Sequence, residues 1–227
     1  ESLIDYNWNQ KTIGIGVTGG ALSETLNVSN YERYLKQAAQ GIALVHGSDV
    51  QAPAAVSVTE LSLQCLKKLD KLSAAQRACA SRLEAIRARV LRAPMPVVTR
   101  LIHGDFHIGQ LLVDGDDVRF LDFDSCAMGE PEQDLAEFIV SLLFARFAPD
   151  LVRSMAAVLL AAYAAHATWA IQLERLRWHA HVQYVTRAQR IYRELRPGSE
   201  QSLQRCLEEL NVDEVLPVSL INQPVSQ

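Results

Sequence analysis

The chain has little that would tie it together covalently or hold it at a surface. Its four cysteines, Cys65, Cys79, Cys126 and Cys206, are scattered and form no C-x-x-C pair. That argues against a disulfide framework or a zinc ribbon and points to a reducing, cytoplasmic setting. No secretory signal opens the sequence, which begins at Glu1. Positive charge is not in excess: 22 Lys and Arg stand against 26 Asp and Glu, a formal net charge of -4. A general nucleic-acid binder would more often be basic, so no nucleic-acid partner is expected. Long apolar runs are scarce. The longest stretch without Asp, Glu, Lys or Arg in the helical half is the 18 residues 154–171, long enough to span a bilayer. Eight of them are Ala and His166 lies among them, so the run reads as a buried helix and no membrane partner is expected.

What is present is an ordinary globular composition. The 227 residues are 49% hydrophobic and 21% charged, enough for one large domain or two small ones. Residues 1–30 are irregular and rich in turn formers. Residues 31–46 carry Tyr31, Tyr34, Leu35, Ala38 and Ile42 at helical spacing. A loop containing Pro53 follows, then a helix over 60–72. Ser73-Ala-Ala-Gln76 has the form of a capping box for a further helix to Leu91, ended by Pro94 and Pro96. Val97, Val98, Leu101 and Ile102 are short β-like material. Leu111-Leu112-Val113 and Val118-Arg119-Phe120-Leu121 flank Asp114-Gly115-Asp116-Asp117, a hairpin signal. Helices are then expected over 134–147, 150–166 and 168–195, with one more from Ser199 to Leu210. The tail from Asn211 reads as loose. The fold class is therefore α+β, predominantly α, with one central β-hairpin.

Polar loop chemistry concentrates at that hairpin. Ile102-His103-Gly104-Asp105-Phe106-His107-Ile108-Gly109-Gln110 leads into it, and Asp122-Phe123-Asp124 leaves it. A turn on Gly115 and Asp116 pairs Val113 with Val118. Counting outward, Gln110 falls opposite Leu121 or, with a three-residue loop, Asp122. Opposed residues have Cβ atoms about 5 Å apart. Gln110 and Asp122 then share the end of the hairpin away from the turn, where Asp105 can fold over them. Oxygen donors without cysteine suit a hard cation such as Mg²⁺, which keeps waters and takes phosphate oxygens.

These residues resemble a known family. Protein kinases carry H-R-D-x-x-x-x-N followed by D-F-G. Here His103-Gly104-Asp105 is followed five residues after the Asp by Gln110, and then by Asp122-Phe123-Asp124. This is similar to the aminoglycoside phosphotransferase and choline kinase superfamily, where Gly replaces Arg. Gln in place of Asn resembles its maltokinase-like branch. Gly129-Glu130-Pro131 with Asp134-Leu135-Ala136 resembles the family's G-D-P…D-L-A segment. Ala43-Leu44-Val45-His46 resembles the end of its first C-lobe helix, and Glu1-Ser2-Leu3 the stretch after the hinge.

The resemblance implies a protein-kinase-like C-terminal lobe over 31–210, after a post-hinge segment 1–30 and before a tail 211–227. It implies Asp105 as catalytic base, Gln110 and Asp122 as Mg²⁺ ligands, and His103 as a structural residue. Asp124 is implied as an outlying carboxylate and Asp134 as the buttress of the catalytic loop. ATP would be the phosphoryl donor and a small-molecule hydroxyl the acceptor. Only a short connection joins Asp124 to Asp134, too short for the activation segment with which protein kinases dock a peptide.

In that superfamily a lysine and a glycine-rich loop sit on a β-rich N-lobe. Too few residues precede Leu44-Val45-His46 for such a lobe, so it is expected to be missing here and supplied in cis or trans. Gly14-Ile-Gly16-Val-Thr-Gly19 is a formal G-x-G-x-x-G, but no lysine-bearing strand follows it, and a hairpin-like insertion is its plainer reading. A kinase-like module acting through binding alone is the alternative function. A hydrolase holding metal through His103, Asp105 and His107 is a remoter one. His103 and His107 are otherwise loop or pocket residues. His179 and His181 read as packing or surface residues, and Tyr163, Trp169, Trp178 and Tyr184 as helix core. Arg187, Arg190, Arg193 and Arg196 form a basic strip read as a solvated face.

Overall fold

A computed structural model describes residues 4–7, 12–15, 19–95, 98–145, 147–193 and 199–216. Glu1-Ser2-Leu3, Gly16, Val97, Leu195 and Arg196 lie outside the described residues. Two short strands open the chain, β1 (Ile4–Asn7) and β2 (Thr12–Ile15), paired antiparallel as a hairpin. The hairpin-like insertion expected for the glycine-rich segment is thus what its described part forms. β3 (Gly20–Ala21) follows, then the single turn α1 (Leu22–Thr25), whose Leu22 is fully buried. Residues before Tyr31 therefore contribute strands and core where an irregular segment was expected.

α2 (Tyr31–His46) matches its expected span. Its buried positions Tyr34, Leu35, Ala38, Ala39, Ile42, Ala43 and His46 make one continuous stripe. α3 (Val58–Ala75) starts at an N-cap the sequence reading passed over: Ser57 accepts from the Glu60 amide at 3.3 Å. The Ser73–Gln76 capping box does not form. Buried Leu69 and Leu72 keep the helical period intact across Ser73, so the helix runs through it and stops at Gln76. A 3-10 turn, Arg77–Cys79, then leads into α4 (Ala80–Val90).

β4 (Arg100–Ile102) pairs antiparallel with β7 (Ala127–Gly129). Between them lies the hairpin of β5 (Leu111–Asp114) and β6 (Asp117–Phe120), in the expected register of Val113 with Val118. Its two-residue turn places Gly115 at φ 62°, a conformation open to glycine at little cost. β3 adds to the other edge of β5, giving the order β3-β5-β6.

α5 (Pro131–Phe144) begins three residues earlier than expected, because Pro131 occupies its first turn, where a missing N–H costs nothing. Every residue from Pro131 to Leu143 is buried. α5 is thus the central helix, with α6 (Pro149–Ala164) and α7 (Leu173–Arg193) packed on it. α6 ends inside the uncharged run, and no helix among the described residues is long and apolar enough to cross a membrane. α8 (Ser199–Glu209) and the single turn α9 (Val212–Val215) close the chain. The tail is not loose at its start: Val212, Val215 and Leu216 are buried, and α9 packs on α5, α6 and α7.

Candidate active site

β4 delivers the chain to His103-Gly104-Asp105 at the edge of the core. The loop needs glycine at 104. Its φ is 82°, and a Cβ there would lie 2.1 Å from the Ser125 carbonyl oxygen. An arginine at this place would be both strained and obstructed. From below, α5 presents three polar side chains to the loop at i, i+3 and i+7. Asp134 accepts from the amides of His103 (2.7 Å) and Gly104 (2.9 Å). Ser141 Oγ accepts from the Ile108 amide at 3.2 Å. Glu137 lies between these anchors and hydrogen-bonds to Asp105. Burial first, then the neighbouring carboxylates, pushes the Glu137 carboxyl up to about 8, against the pull of Arg187. At neutral pH it is chiefly protonated and donates to Asp105.

Behind Asp134 runs a buried relay. His46 Nε2 meets Asp134 Oδ2 at 3.0 Å, and its Nδ1 lies 2.7 Å from the Tyr163 hydroxyl. Burial raises the Tyr163 hydroxyl well above its usual range, so it keeps its proton and donates to Nδ1, which leaves Nε2–H to donate to the carboxylate. His46, Asp134 and Tyr163 are all fully buried.

The hairpin extends one further pair, with the Leu121 amide donating to the Gln110 carbonyl at 2.9 Å. Gln110 therefore stands opposite Leu121, the first of the two expected registers. The next residue, Asp122, takes left-handed φ 59° and ψ 66°, the one non-glycine residue with positive φ among those described. That turn swings its carboxylate back under Gln110. Gln110 Nε2 is 2.9 Å from Asp105 Oδ2 and 3.1 Å from Asp122 Oδ2. The three side chains singled out from the sequence thus converge.

As drawn, the Gln110 amide nitrogen bridges the two carboxylates. The two ends of an amide exchange by a half-turn, which would put Oε1 at the same place. Two carboxylates and an amide oxygen form an all-oxygen donor set that fits a hard cation. No group of three or more His, Cys, Asp or Glu among the described residues could hold a metal by itself. The fit is to an ion that keeps most of its shell for water and phosphate.

The other candidates are placed around this centre. His103 is buried; its Nδ1 accepts from the Asp105 amide at 3.4 Å, so Nε2–H donates to the Leu121 carbonyl at 2.8 Å. It ties the Asp105 loop to the strand that ends at Asp122. His107 Nδ1 accepts from the Gly109 amide at 3.0 Å, and its Nε2 lies 3.6 Å from Asp105 Oδ1. Burial, then Arg187, lowers its pKa and keeps it neutral. Asp124 is exposed on the 3-10 turn Phe123–Ser125 and takes no part in the bonds joining Asp105, Gln110 and Asp122. Sequence reasoning missed Glu137, Ser141 and the pairing of His46 with Tyr163. A signal existed for the first two: with Asp134 they form a polar stripe on an otherwise apolar helix.

Solved structures share this architecture. A choline/ethanolamine kinase family protein from Mesorhizobium loti aligns with a TM-score of 0.60 at 16% identity, covering 95% of this chain and 76% of its own. An aminoglycoside phosphotransferase from Streptomyces rimosus, solved with ADP and streptomycin, aligns at 0.53 and 16% identity over 77% of this chain and 69% of its own. Amicoumacin kinase, solved with AMP-PNP, Ca²⁺ and Ami, aligns at 0.61 and 14% identity over 90% and 66%. No curated protein matches. A helical body around a central hairpin, as in these proteins, is the C-terminal lobe of the kinase-like fold. The chain belongs to the phosphotransferase enzyme family, whose model matches residues 12–209.

Proposed function

We propose that this chain is the catalytic lobe of an ATP-dependent phosphotransferase acting on a hydroxyl of a small molecule. The observation that carries this is the convergence of Asp105 and Asp122 on the Gln110 amide, at 2.9 and 3.1 Å. Asp105 orients the acceptor hydroxyl and takes its proton as the oxygen attacks the γ-phosphorus in line. The bond from that phosphorus to the β–γ bridging oxygen breaks, and ADP departs. Gln110, through its amide oxygen, and Asp122 would hold Mg²⁺. When bound, Mg²⁺ neutralises charge on the phosphates. Glutamine keeps the amide oxygen of the usual asparagine on a side chain one methylene longer.

Asp134 and His103 act on the chemistry indirectly by fixing the loop. The acceptor is small, because only the 3-10 turn and β7 separate Asp122 from α5. The nucleotide requires a second lobe bearing lysine and a glycine-rich loop, in cis or in trans. Among the described residues, no strand ahead of α2 carries a lysine. The cysteines are free, which suits a cytoplasmic setting.

The test is Asp105→Asn in the protein that contains both lobes, with ADP release and phosphorylated acceptor as readouts. The substitution should lower kcat about 10²–10⁴-fold while leaving the thermal midpoint near that of the parent. Undiminished turnover would remove Asp105 from the chemistry. Nucleotide binding with no transfer in the parent protein would favour the binding module instead.

A further inference from the structure

The basic strip of α7 is not simply a solvated face. Gln183, Arg187 and Arg190 follow one another at i, i+4 and i+7, on the side of α7 turned to α5. Gln183 Nε2 donates to Glu137 Oε2 at 3.3 Å, and Arg187 Nη2 lies 3.8 Å from Glu137 Oε1. Glu137 is hydrogen-bonded to Asp105, so Arg187 stands one side chain away from the proposed base. The Arg187 side chain is only 17% exposed. Its Nε is buried with no hydrogen-bond partner among the described residues. Arg190, one turn further on, is exposed.

The charge around these guanidinium groups is lopsided. Glu137 is chiefly protonated at neutral pH and does not cancel Arg187. The only carboxylate on α7 is Glu174, at its other end. Arg187 and Arg190 both reach His107, beside Asp105, and help depress its pKa. A polycationic acceptor placed against Asp105 would meet two fixed positive charges and no fresh carboxylate. A carboxylate or phosphate would meet donors already desolvated and in want of a partner.

We infer that Arg187 and Arg190 form an anion-binding wall of the acceptor site, and that the acceptor is an alcohol bearing a carboxylate or phosphate. This rests on the phosphotransferase reading and narrows it. Arg187 supplies the buried, specific contact. Arg190 at the rim supplies attraction to the incoming anion.

The experiment uses the two-lobed protein with ATP and five acceptors: glycerate, glucose 6-phosphate, glucose, choline and streptomycin. kcat/KM should be highest for one of the two anions, and which one it is separates carboxylate from phosphate recognition. Arg187→Gln should raise KM for that anion about tenfold more than for glucose, as loss of one charge-assisted contact requires. Arg190→Gln, at an exposed position that folding tolerates, should weaken the anion in the same direction and flatten its salt dependence. As a readout apart from turnover, the preferred anion should shift the thermal midpoint of the parent and shift that of Arg187→Gln less. Preference for glucose, choline or streptomycin, with Arg190→Gln indifferent, would overturn the inference while Asp105-dependent transfer still upheld the phosphotransferase. Absence of Asp105-dependent transfer to any acceptor would remove both.

Discussion

Asp134 shows how much one buried carboxylate can carry. Its two oxygens take the His103 and Gly104 amides and the His46 ring, and it is fully buried. Donors of that kind, once desolvated, cost far more when abandoned than they return when paired. Asp134→Ala is expected to cost about 3–5 kcal/mol in urea unfolding, as removal of one partner from a buried charged network does. Tyr163→Phe, at the far end of the relay, removes one neutral donor and should cost only about 1 kcal/mol. Equal effects of the two substitutions would mean that the relay does not radiate from the carboxylate. Asp122 is the complementary case. It accepts a left-handed backbone, and the return is a carboxylate aimed under Gln110. Its turn was readable in sequence only as the end of a strand; the conformation that aims the side chain was not.

At the level of elements, the site depends on how closely α2 approaches β6. Gly41 lies mid-helix, where alanine would ordinarily stabilise by about 1 kcal/mol. Here a Cβ would come 2.5 Å from the Phe120 ring. That ring cannot retreat freely, since it stacks on Phe106 at 5.5 Å, and Phe106 in turn stacks on Phe138 of α5 at 4.8 Å. Gly41→Ala should therefore destabilise by about 1–3 kcal/mol, the cost of overpacking. Phe120→Leu in the same chain should recover part of it. A stabilised Gly41→Ala in chemical denaturation would show that the ring has room to move. The hairpin itself was legible, because an Asp-Gly turn between alternating strands fixes register locally. The start of α5 was not, since proline looks like a terminator until it is placed at the first helical position. Ser73 misled for a related reason: S-x-x-Q caps a helix only where the chain arrives extended, and Ser57 is the residue that meets that condition.

Across the whole molecule, legibility falls with sequence distance. Asp105, Gln110 and Asp122 sit within one hairpin and its flanks, so turn chemistry alone brought them together. His46, Tyr163 and Arg187 reach the same centre only through the packing of α2, α6 and α7 on α5, which local pattern cannot specify. The same packing buries a second polar group, where Glu130 at the head of α5 is paired with Arg175 and His179 of α7. Arg175 also donates to the Met95 carbonyl. His179 Nε2 meets Glu130 at 2.7 Å, while Nδ1 has no partner, the arrangement of a neutral ring. Burial takes its pKa from 6.5 down to about 3. The unfolded chain then binds this proton first as the solution is acidified. The stability His179 contributes is complete above about pH 6.5 and is lost as pH falls toward 3. Glu137 acts with the opposite sign. Its carboxyl ionises near 4.5 when unfolded and near 8 when folded, so its contribution is complete below 4.5 and is lost as pH rises through 8. Urea midpoints measured from pH 4 to 9 should separate the two. His179→Gln should flatten the acid limb and leave the alkaline limb standing, and Glu137→Gln should do the reverse. An acid limb that survives His179→Gln unchanged would mean that the ring is already charged in the folded protein, and that Glu130 rather than burial governs it.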